Sequence, residues 1–131
     1  MNNKIKITAR FSTELKNLML QAVISDGYGL RGKSKWLSEA IEDFVKIDYI
    51  DLVDIGSEMS TGELKETESF YLSPSIIDIL EEATINVRVT LPKIDGVKSI
   101  IIRSSVFQRL FRSKKHAANT IKNLSSHLTS S

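Results

Sequence analysis

The chain opens on a strict alternation of apolar and polar residues. Residues 4–11 place Ile5, Ile7, Ala9 and Phe11 on one face and basic or hydroxyl side chains on the other. A period of two residues is typical of a β-strand with one face packed on a core. The pattern therefore predicts a strand over 4–11 whose second face is polar.

Two amphipathic helices are predicted after this strand. Ser12 is a suitable N-cap, and apolar residues then recur at helical spacing as far as Ser25. The glycine-containing segment 26–29 predicts a turn. A second helix is predicted to begin near Ser34, and we expect its Trp36 to pack in the core.

A similar strand–helix–helix pattern returns later in the chain. A second strand is predicted over 67–72, followed by a helix that begins at Ser73 and Pro74. Apolar positions in the two halves match at an offset of 61 residues for the first helices and 65 for the second. Each unit is too small to bury a core alone, so we expect the strands to pair and the four helices to pack together.

The net charge of +2 conceals a segregation of charge along the chain. Residues 1–46 carry a net charge of +3, residues 47–82 a charge of −9, and residues 83–131 a charge of +8. A polyanionic partner is therefore compatible with each basic module, although the overall charge is near zero. The acidic stretch between them is expected to be a solvated linker.

The composition argues against catalysis and against metal chemistry. The chain contains no cysteine, and its two histidines, His116 and His127, both lie near the C-terminus. The carboxylates form no recognisable acid–base pair, so we expect no enzyme, no metal and no cofactor. No apolar run of 18 residues and no signal-peptide pattern occur, which predicts a soluble, cytoplasmic protein without a membrane partner.

One nucleotide-binding motif is present but lacks its expected context. Residues 27–34 match the Walker A pattern G-x-x-x-x-G-K-S. That loop requires a buried strand before it and a parallel sheet around it, whereas a helix is predicted to precede it here. We therefore reject nucleotide hydrolysis. The same glycine, lysine and amide groups would suit a DNA phosphate equally well.

The first half of the chain resembles the ribbon-helix-helix DNA-binding family, which includes the Arc, MetJ and CopG-type repressors. The strand Lys4-Ile-Lys-Ile-Thr-Ala-Arg10 and the segment Gly32-Lys-Ser-Lys-Trp-Leu-Ser-Glu-Ala-Ile41 carry the resemblance. Residues 67–110 resemble it more loosely. Two units in one chain look like the conjugation accessory proteins of the TraY type. The resemblance implies an antiparallel ribbon that enters the DNA major groove.

The expected organisation follows from this resemblance. It is an α+β, tandem ribbon-helix-helix fold, in which two β-α-α units form an intrachain pseudo-dimer with a two-stranded antiparallel ribbon and four helices. The expected segments are a first unit at 1–46, a partly helical acidic linker at 47–66, a divergent second unit at 67–111, and a basic, Ser-rich flexible tail at 112–131. The tail has two open interpretations, a DNA-contacting arm and a solvated terminus.

The candidate DNA contacts are base-reading residues on the first strand, further candidates on the second strand, and phosphate-binding residues. Arg, Lys and hydroxyl side chains can all form hydrogen bonds with base edges. The expected base-reading residues are Lys6, Thr8 and Arg10, with Thr67, Ser69 and Tyr71 as candidates on the second strand. The expected phosphate-binding residues are Lys4, Lys33, Ser34, Lys35, Lys98 and Ser99. An amphipathic edge strand and ordinary serine N-caps are the simpler alternatives. Glu68 departs from the pattern, so the second strand either reads bases through hydroxyls or mainly completes the fold.

The resulting hypothesis is a sequence-specific double-stranded DNA-binding protein. Two uses remain open: an accessory protein that binds the transfer origin of a mobile element such as a plasmid and assists a relaxase, and an autoregulatory transcriptional repressor. Without DNA we expect the chain to be a monomeric pseudo-dimer. Several copies could bind one DNA molecule. The alternative is a protein-interaction module, such as an antitoxin-like partner, that uses the acidic segment or the tail.

Overall fold

The computed structural model describes residues 3–59 and 63–112. This part of the chain has an α+β fold with two strands and five helices. In chain order the elements are β1 (Ile5–Phe11), α1 (Thr13–Ser25), a 3₁₀ turn (Leu30–Gly32), α2 (Lys33–Phe44), α3 (Tyr49–Met59), β2 (Glu66–Leu72), α4 (Pro74–Thr90) and α5 (97–112).

The prediction of four helices in two tandem β-α-α units is wrong. A fifth helix, α3, lies between α2 and β2, within the segment where the sequence predicts a partly helical acidic linker. Its Val53 is fully buried in the common core, and the Tyr49 ring lies 5.9 Å from that of Phe44. An apolar stripe inside an acidic segment therefore builds part of the core.

The two strands form one antiparallel ribbon that is packed on one face. The cross-strand partners include Lys6 with Tyr71, Thr8 with Ser69, and Arg10 with Thr67. The buried face carries Ala9, Phe11, Phe70 and Leu72, each no more than 2% exposed. The Phe11 and Phe70 rings meet edge to face at 6.1 Å, which adds to the stabilisation from burial.

The helices that follow the two strands begin with the same type of cap. The Ser12 hydroxyl accepts a hydrogen bond from the Leu15 N–H at 3.1 Å, and the Ser73 hydroxyl accepts one from the Ile76 N–H at 3.4 Å. Each cap satisfies an amide that the helix cannot pair, worth about 1 kcal/mol. The caps fix where each strand ends and its helix starts.

A single core lies between the ribbon and the helices. Trp36 is its largest fully buried side chain, which confirms the expectation that it packs in the core. Every helix contributes, and representative buried residues are Met19 from α1, Trp36 from α2, Val53 from α3, Leu80 from α4 and Ile101 from α5. Since the helices cover only one face of the ribbon, its other face is left to solvent.

Candidate nucleic-acid interface

The solvent face of the ribbon carries six side chains in three cross-strand pairs. They are Lys6 with Tyr71, Thr8 with Ser69, and Arg10 with Thr67. Five are exposed and Ser69 is half-buried, so no element of the described chain covers this face. The structure therefore brings together both sets of residues that the sequence suggested for base reading.

The two cations of β1 have no partner among the described residues. Neither the Lys6 ammonium nor the Arg10 guanidinium takes part in an ion pair or hydrogen bond within residues 3–59 and 63–112. The Arg10 carbonyl, in contrast, accepts a hydrogen bond from Arg103 Nη1 at 3.0 Å. Burial lowers the pKa of Arg103, although an arginine remains charged at neutral pH. The backbone of Arg10 is thus held while its side chain stays exposed.

The start of α2 differs from the expected serine cap. The helix begins at Lys33 with Gly32 as its N-cap, so Ser34 is the second helical residue and the N-cap interpretation is wrong. The Ser34 hydroxyl instead accepts a hydrogen bond from the Tyr71 N–H at 2.9 Å. The first turn of α2 therefore lies against the end of the ribbon where Tyr71 pairs with Lys6.

Replacing Ser34 by alanine is expected to loosen this end of the ribbon. The substitution removes the acceptor of the Tyr71 N–H and should lower the free energy of unfolding by about 0.5–1.5 kcal/mol. The Tyr71 amide should exchange its hydrogen faster, as measured by NMR. Ser38→Ala is the matched control, because the Ser38 hydroxyl donates only to the Ser34 carbonyl within α2. Equal Tyr71 exchange in both variants would contradict the assigned role.

Lys33 is engaged by an acidic residue of the ribbon. Its Nζ lies 3.6 Å from Glu68 Oε2 and 5.0 Å from the centre of the Phe70 ring. Glu68 faces the core side of β2, and its side chain is only 13% exposed. A carboxylate so placed requires a partner, and Lys33 supplies it. Lys35, which is exposed, and Lys4 beside β1 are therefore the more accessible cations at this end.

The start of α5 lies near the opposite end of the ribbon. Arg103 contacts the Arg10 carbonyl, and Ser99 lies one turn before Arg103 on the same helix. The Lys98 ammonium is paired with the Glu81 carboxylate of α4. The two predicted phosphate-binding groups, around Ser34 and around Ser99, thus belong to helix starts at different ends of the ribbon.

A polar cluster that the sequence did not reveal ties α5 to α2. Arg109 Nη2 donates to the Tyr28 hydroxyl at 3.0 Å, and that hydroxyl donates to Glu39 Oε1 at 3.0 Å. The Arg109 guanidinium also lies 5.3 Å from the Trp36 ring. Burial is the main reason that the pKa of Tyr28 is raised. The cluster holds α2 in place, and with it the helix start beside the ribbon.

The Walker-like segment 27–34 lacks the surroundings of a nucleotide loop. Helix α1 precedes it, and the described residues contain no parallel sheet. Gly27 and Gly29 have positive φ angles of 84° and 73°, which suit a turn. A Cβ at Gly32 would lie 2.6 Å from the Tyr28 Cβ, so packing requires glycine there. The turn conformation accounts for Gly27 and Gly29, and the close packing on Tyr28 accounts for Gly32.

Residues 3–59 and 63–112 contain neither a membrane-spanning helix nor a cluster of metal-binding side chains. No helix in these ranges is long and apolar enough to cross a membrane. No group of three or more His, Cys, Asp or Glu side chains in them could hold a metal ion. The predicted tail from 113 onward, including His116 and His127, lies outside the described residues.

No family model, curated protein or solved structure matches this chain. The ribbon-helix-helix resemblance therefore rests on the sequence pattern alone. The geometry and charge of the ribbon and its flanking helices are the structural features that bear on function.

Proposed function

We propose that this chain binds double-stranded DNA sequence-specifically by inserting the solvent face of the β1–β2 ribbon into the major groove. The observation that carries the proposal is the uncovered face formed by Lys6, Thr8 and Arg10 with their three partners on β2. Lysine and arginine can donate to guanine O6 and N7, and threonine can contact a thymine methyl group. The cations of this face are not engaged elsewhere in the described chain.

The dimensions of the ribbon fit this role. Two paired strands lie about 4.8 Å apart, and a strand of seven residues spans about 23 Å. The major groove of B-DNA is about 12 Å wide and admits a two-stranded ribbon. Side chains on alternate residues of each strand then face the base edges.

The helix starts near the two ends of the ribbon would contact the DNA backbone. The first turn of α2 presents backbone N–H groups beside the exposed Lys35, and helix N-termini favour phosphate groups. Around Ser99 the first turn of α5 would act in the same way. Lys33 and Lys98 would contact phosphate only by exchanging their carboxylate partners, Glu68 and Glu81.

The chemistry of the two strands predicts a DNA site without two-fold symmetry. An approximate two-fold axis through the Thr8–Ser69 pair would superpose Lys6 on Thr67 and Arg10 on Tyr71. A cation and a neutral hydroxyl side chain do not select the same base. The two halves of the bound sequence should therefore differ.

Two cellular uses are consistent with such binding, and both imply a cytoplasmic protein. One is binding a transfer origin in support of a relaxase, in which several copies occupy one DNA. The other is repression of the protein's own gene. Both uses depend on the same ribbon contacts, so no residue of this chain distinguishes them. The identity of the selected DNA site does.

The proposal is tested by selecting bound sequences from a pool of random-sequence duplexes. The affinity of the protein for the selected duplex is then measured as a function of salt concentration. Four phosphate contacts give a slope of log K against log salt of about −3.6. Affinity should then fall about 150-fold between about 50 mM and about 200 mM salt. Failure to enrich any sequence, or an affinity that does not change with salt, would contradict the proposal.

A protein-interaction module is the second candidate, and the surface of α3 favours it. Asp51 and Asp54 are exposed on this helix and leave an acidic surface that DNA would repel. A basic partner protein would bind there. Such a partner would bind equally well to variants of the ribbon face, which distinguishes the two functions.

A further inference from the structure

The two cations on the solvent face of the ribbon are held at a fixed separation. Lys6 and Arg10 both belong to β1, and the seven residues of this strand pair with the seven residues of β2 without interruption. No extra residue therefore bulges out between the two cations. A strand rises about 3.2–3.4 Å per residue, so the Cα atoms of Lys6 and Arg10 lie about 13 Å apart.

Neighbouring helices anchor the ribbon backbone at both ends of this spacing. The residue opposite Lys6 is Tyr71, whose N–H donates to the Ser34 hydroxyl of α2 at 2.9 Å. The Arg10 carbonyl accepts a hydrogen bond from Arg103 of α5 at 3.0 Å. Both cationic side chains stay exposed while the backbone beneath them is held. The ribbon therefore presents two cations at a defined distance from each other.

Other lysines beside the ribbon are paired with glutamates. Lys16, Lys33 and Lys65 each lie 2.9–3.6 Å from a glutamate carboxylate of β2 or of the residues just before it. The nearby negative charge offsets the attraction of these lysines for an acceptor on a base edge. Lys6 and Arg10 have no such partner in the part of the chain that the structure describes. They are therefore the cations of this region that can select a base.

The geometry of B-DNA sets the distance between the base edges that the two cations would meet. Base pairs rise about 3.4 Å each along the helix axis, and about ten of them complete one turn. A strand that lies in the major groove follows this turn, so each base-pair step along the groove measures about 4 Å. A separation of about 13 Å then corresponds to about three or four base-pair steps.

Guanine is the base whose major-groove edge best matches a cation. It presents two adjacent acceptors, O6 and N7, whereas adenine and cytosine each present an amino donor and thymine presents a single acceptor beside its methyl group. The groove is about 12 Å wide and the paired strands lie about 4.8 Å apart, so β1 lies closer to one DNA strand and β2 to the other. Two guanines contacted from β1 should therefore belong to the same DNA strand.

We propose that the ribbon selects duplex DNA in which two guanines on one strand are separated by two or three base pairs, with Lys6 contacting one guanine and Arg10 the other. This inference rests on the proposed function and names the class of sequence that it recognises. The base pairs between the guanines face Thr8, which can contact a thymine methyl group. The other DNA strand faces the neutral hydroxyl side chains of β2, so no second pair of guanines is selected there.

The test uses the full-length protein and the duplex selected from random sequences, with affinities measured by fluorescence anisotropy. Replacing either guanine–cytosine pair by adenine–thymine should lower the wild-type affinity at least about fivefold. Lys6→Ala should lose this discrimination at one guanine and keep it at the other, and Arg10→Ala should show the reverse. Inserting two base pairs between the guanines shifts one of them by about 7 Å and should also cost at least about fivefold.

Lys46→Ala is the matched control for the single substitutions. Lys46 is exposed just beyond the C-terminal end of α2, and that helix extends about 16 Å from its start beside the ribbon. The variant loses the same charge as Lys6→Ala at a position away from the ribbon. It should keep full discrimination at both guanines.

The outcomes separate this inference from the proposed function. A selected sequence that lacks two guanines at this spacing would overturn the inference and leave sequence-specific binding intact. The inference would also fail if Lys6→Ala and Arg10→Ala lost discrimination at the same guanine, or if neither variant lost any. A pool in which no sequence is enriched would overturn the proposed function itself, and the inference with it.

Discussion

Replacing Lys6 and Arg10 together by alanine is expected to lower the affinity for the selected duplex by at least about 30-fold. Each lost base contact costs about 1–3 kcal/mol, and 1.4 kcal/mol corresponds to a factor of ten. The affinity for unrelated duplex should fall less, so the ratio of specific to non-specific binding decreases. Fluorescence anisotropy with labelled duplexes measures both quantities.

The fold should survive this double substitution. Both side chains are exposed, and Arg103 contacts the backbone of Arg10, which alanine retains. Circular dichroism and the urea midpoint should therefore match the wild type. A loss of DNA binding would then report on the interface itself and not on unfolding.

A matched control removes the same charge elsewhere. Arg88 and Lys93 are exposed at the end of α4 and in the turn that follows it, about 24 Å along that helix from β2. Arg88→Ala/Lys93→Ala should keep sequence preference and lose only a small amount of general affinity. Wild-type affinity in the ribbon variant, or equal losses in both double variants, would show that the ribbon does not read the DNA.

Replacing Trp36 by alanine is expected to lower the free energy of unfolding by about 3–5 kcal/mol. The side chain is fully buried, its Nε1–H donates to Asp26 Oδ2 at 2.8 Å, and Arg109 lies over its ring. Alanine would leave a cavity between α2 and α5 and remove the partner of Asp26. Since the free energy of unfolding of a domain is about 5–15 kcal/mol in total, this one substitution removes a large part of it.

Urea unfolding followed by circular dichroism measures this loss. Trp36→Phe should cost less than Trp36→Ala, because it keeps one aromatic ring in the core and loses only the second ring and the N–H donor. Val89→Ala is the surface control, since Val89 is 77% exposed, and should change stability by less than about 0.5 kcal/mol. A Trp36→Ala cost no larger than that of the surface control would contradict the assignment of Trp36 to the core.

Elements with a local signal were predictable from the sequence. The alternation from Ile5 to Phe11 predicted β1, and Ser12 and Ser73 marked the starts of the helices α1 and α4. The alternating positions of both strands also indicated which side chains share the solvent face of the ribbon. These signals depend on neighbours two to four residues apart, which sequence patterns report directly.

Features that depend on distant residues were not predictable. The sequence predicts a partly helical acidic linker around α3, and only the folded core shows that Val53 is buried. The alternating pattern marks Glu68 as irregular, but its partner Lys33 is 35 residues away on α2. Arg109 and Tyr28, separated by 81 residues, likewise gave no local signal of their contact.

The contacts that fix α2 and α5 beside the ribbon also affect its tendency to aggregate. A sheet of two strands consists entirely of edges, and exposed edge amides and carbonyls can recruit a further strand from another molecule. Ser34 occupies the Tyr71 amide at the outer edge of β2, and Arg103 occupies the Arg10 carbonyl at the outer edge of β1. Each helix therefore occupies one of the outward-facing backbone groups through which a further strand would pair, while the solvent face of the ribbon remains open.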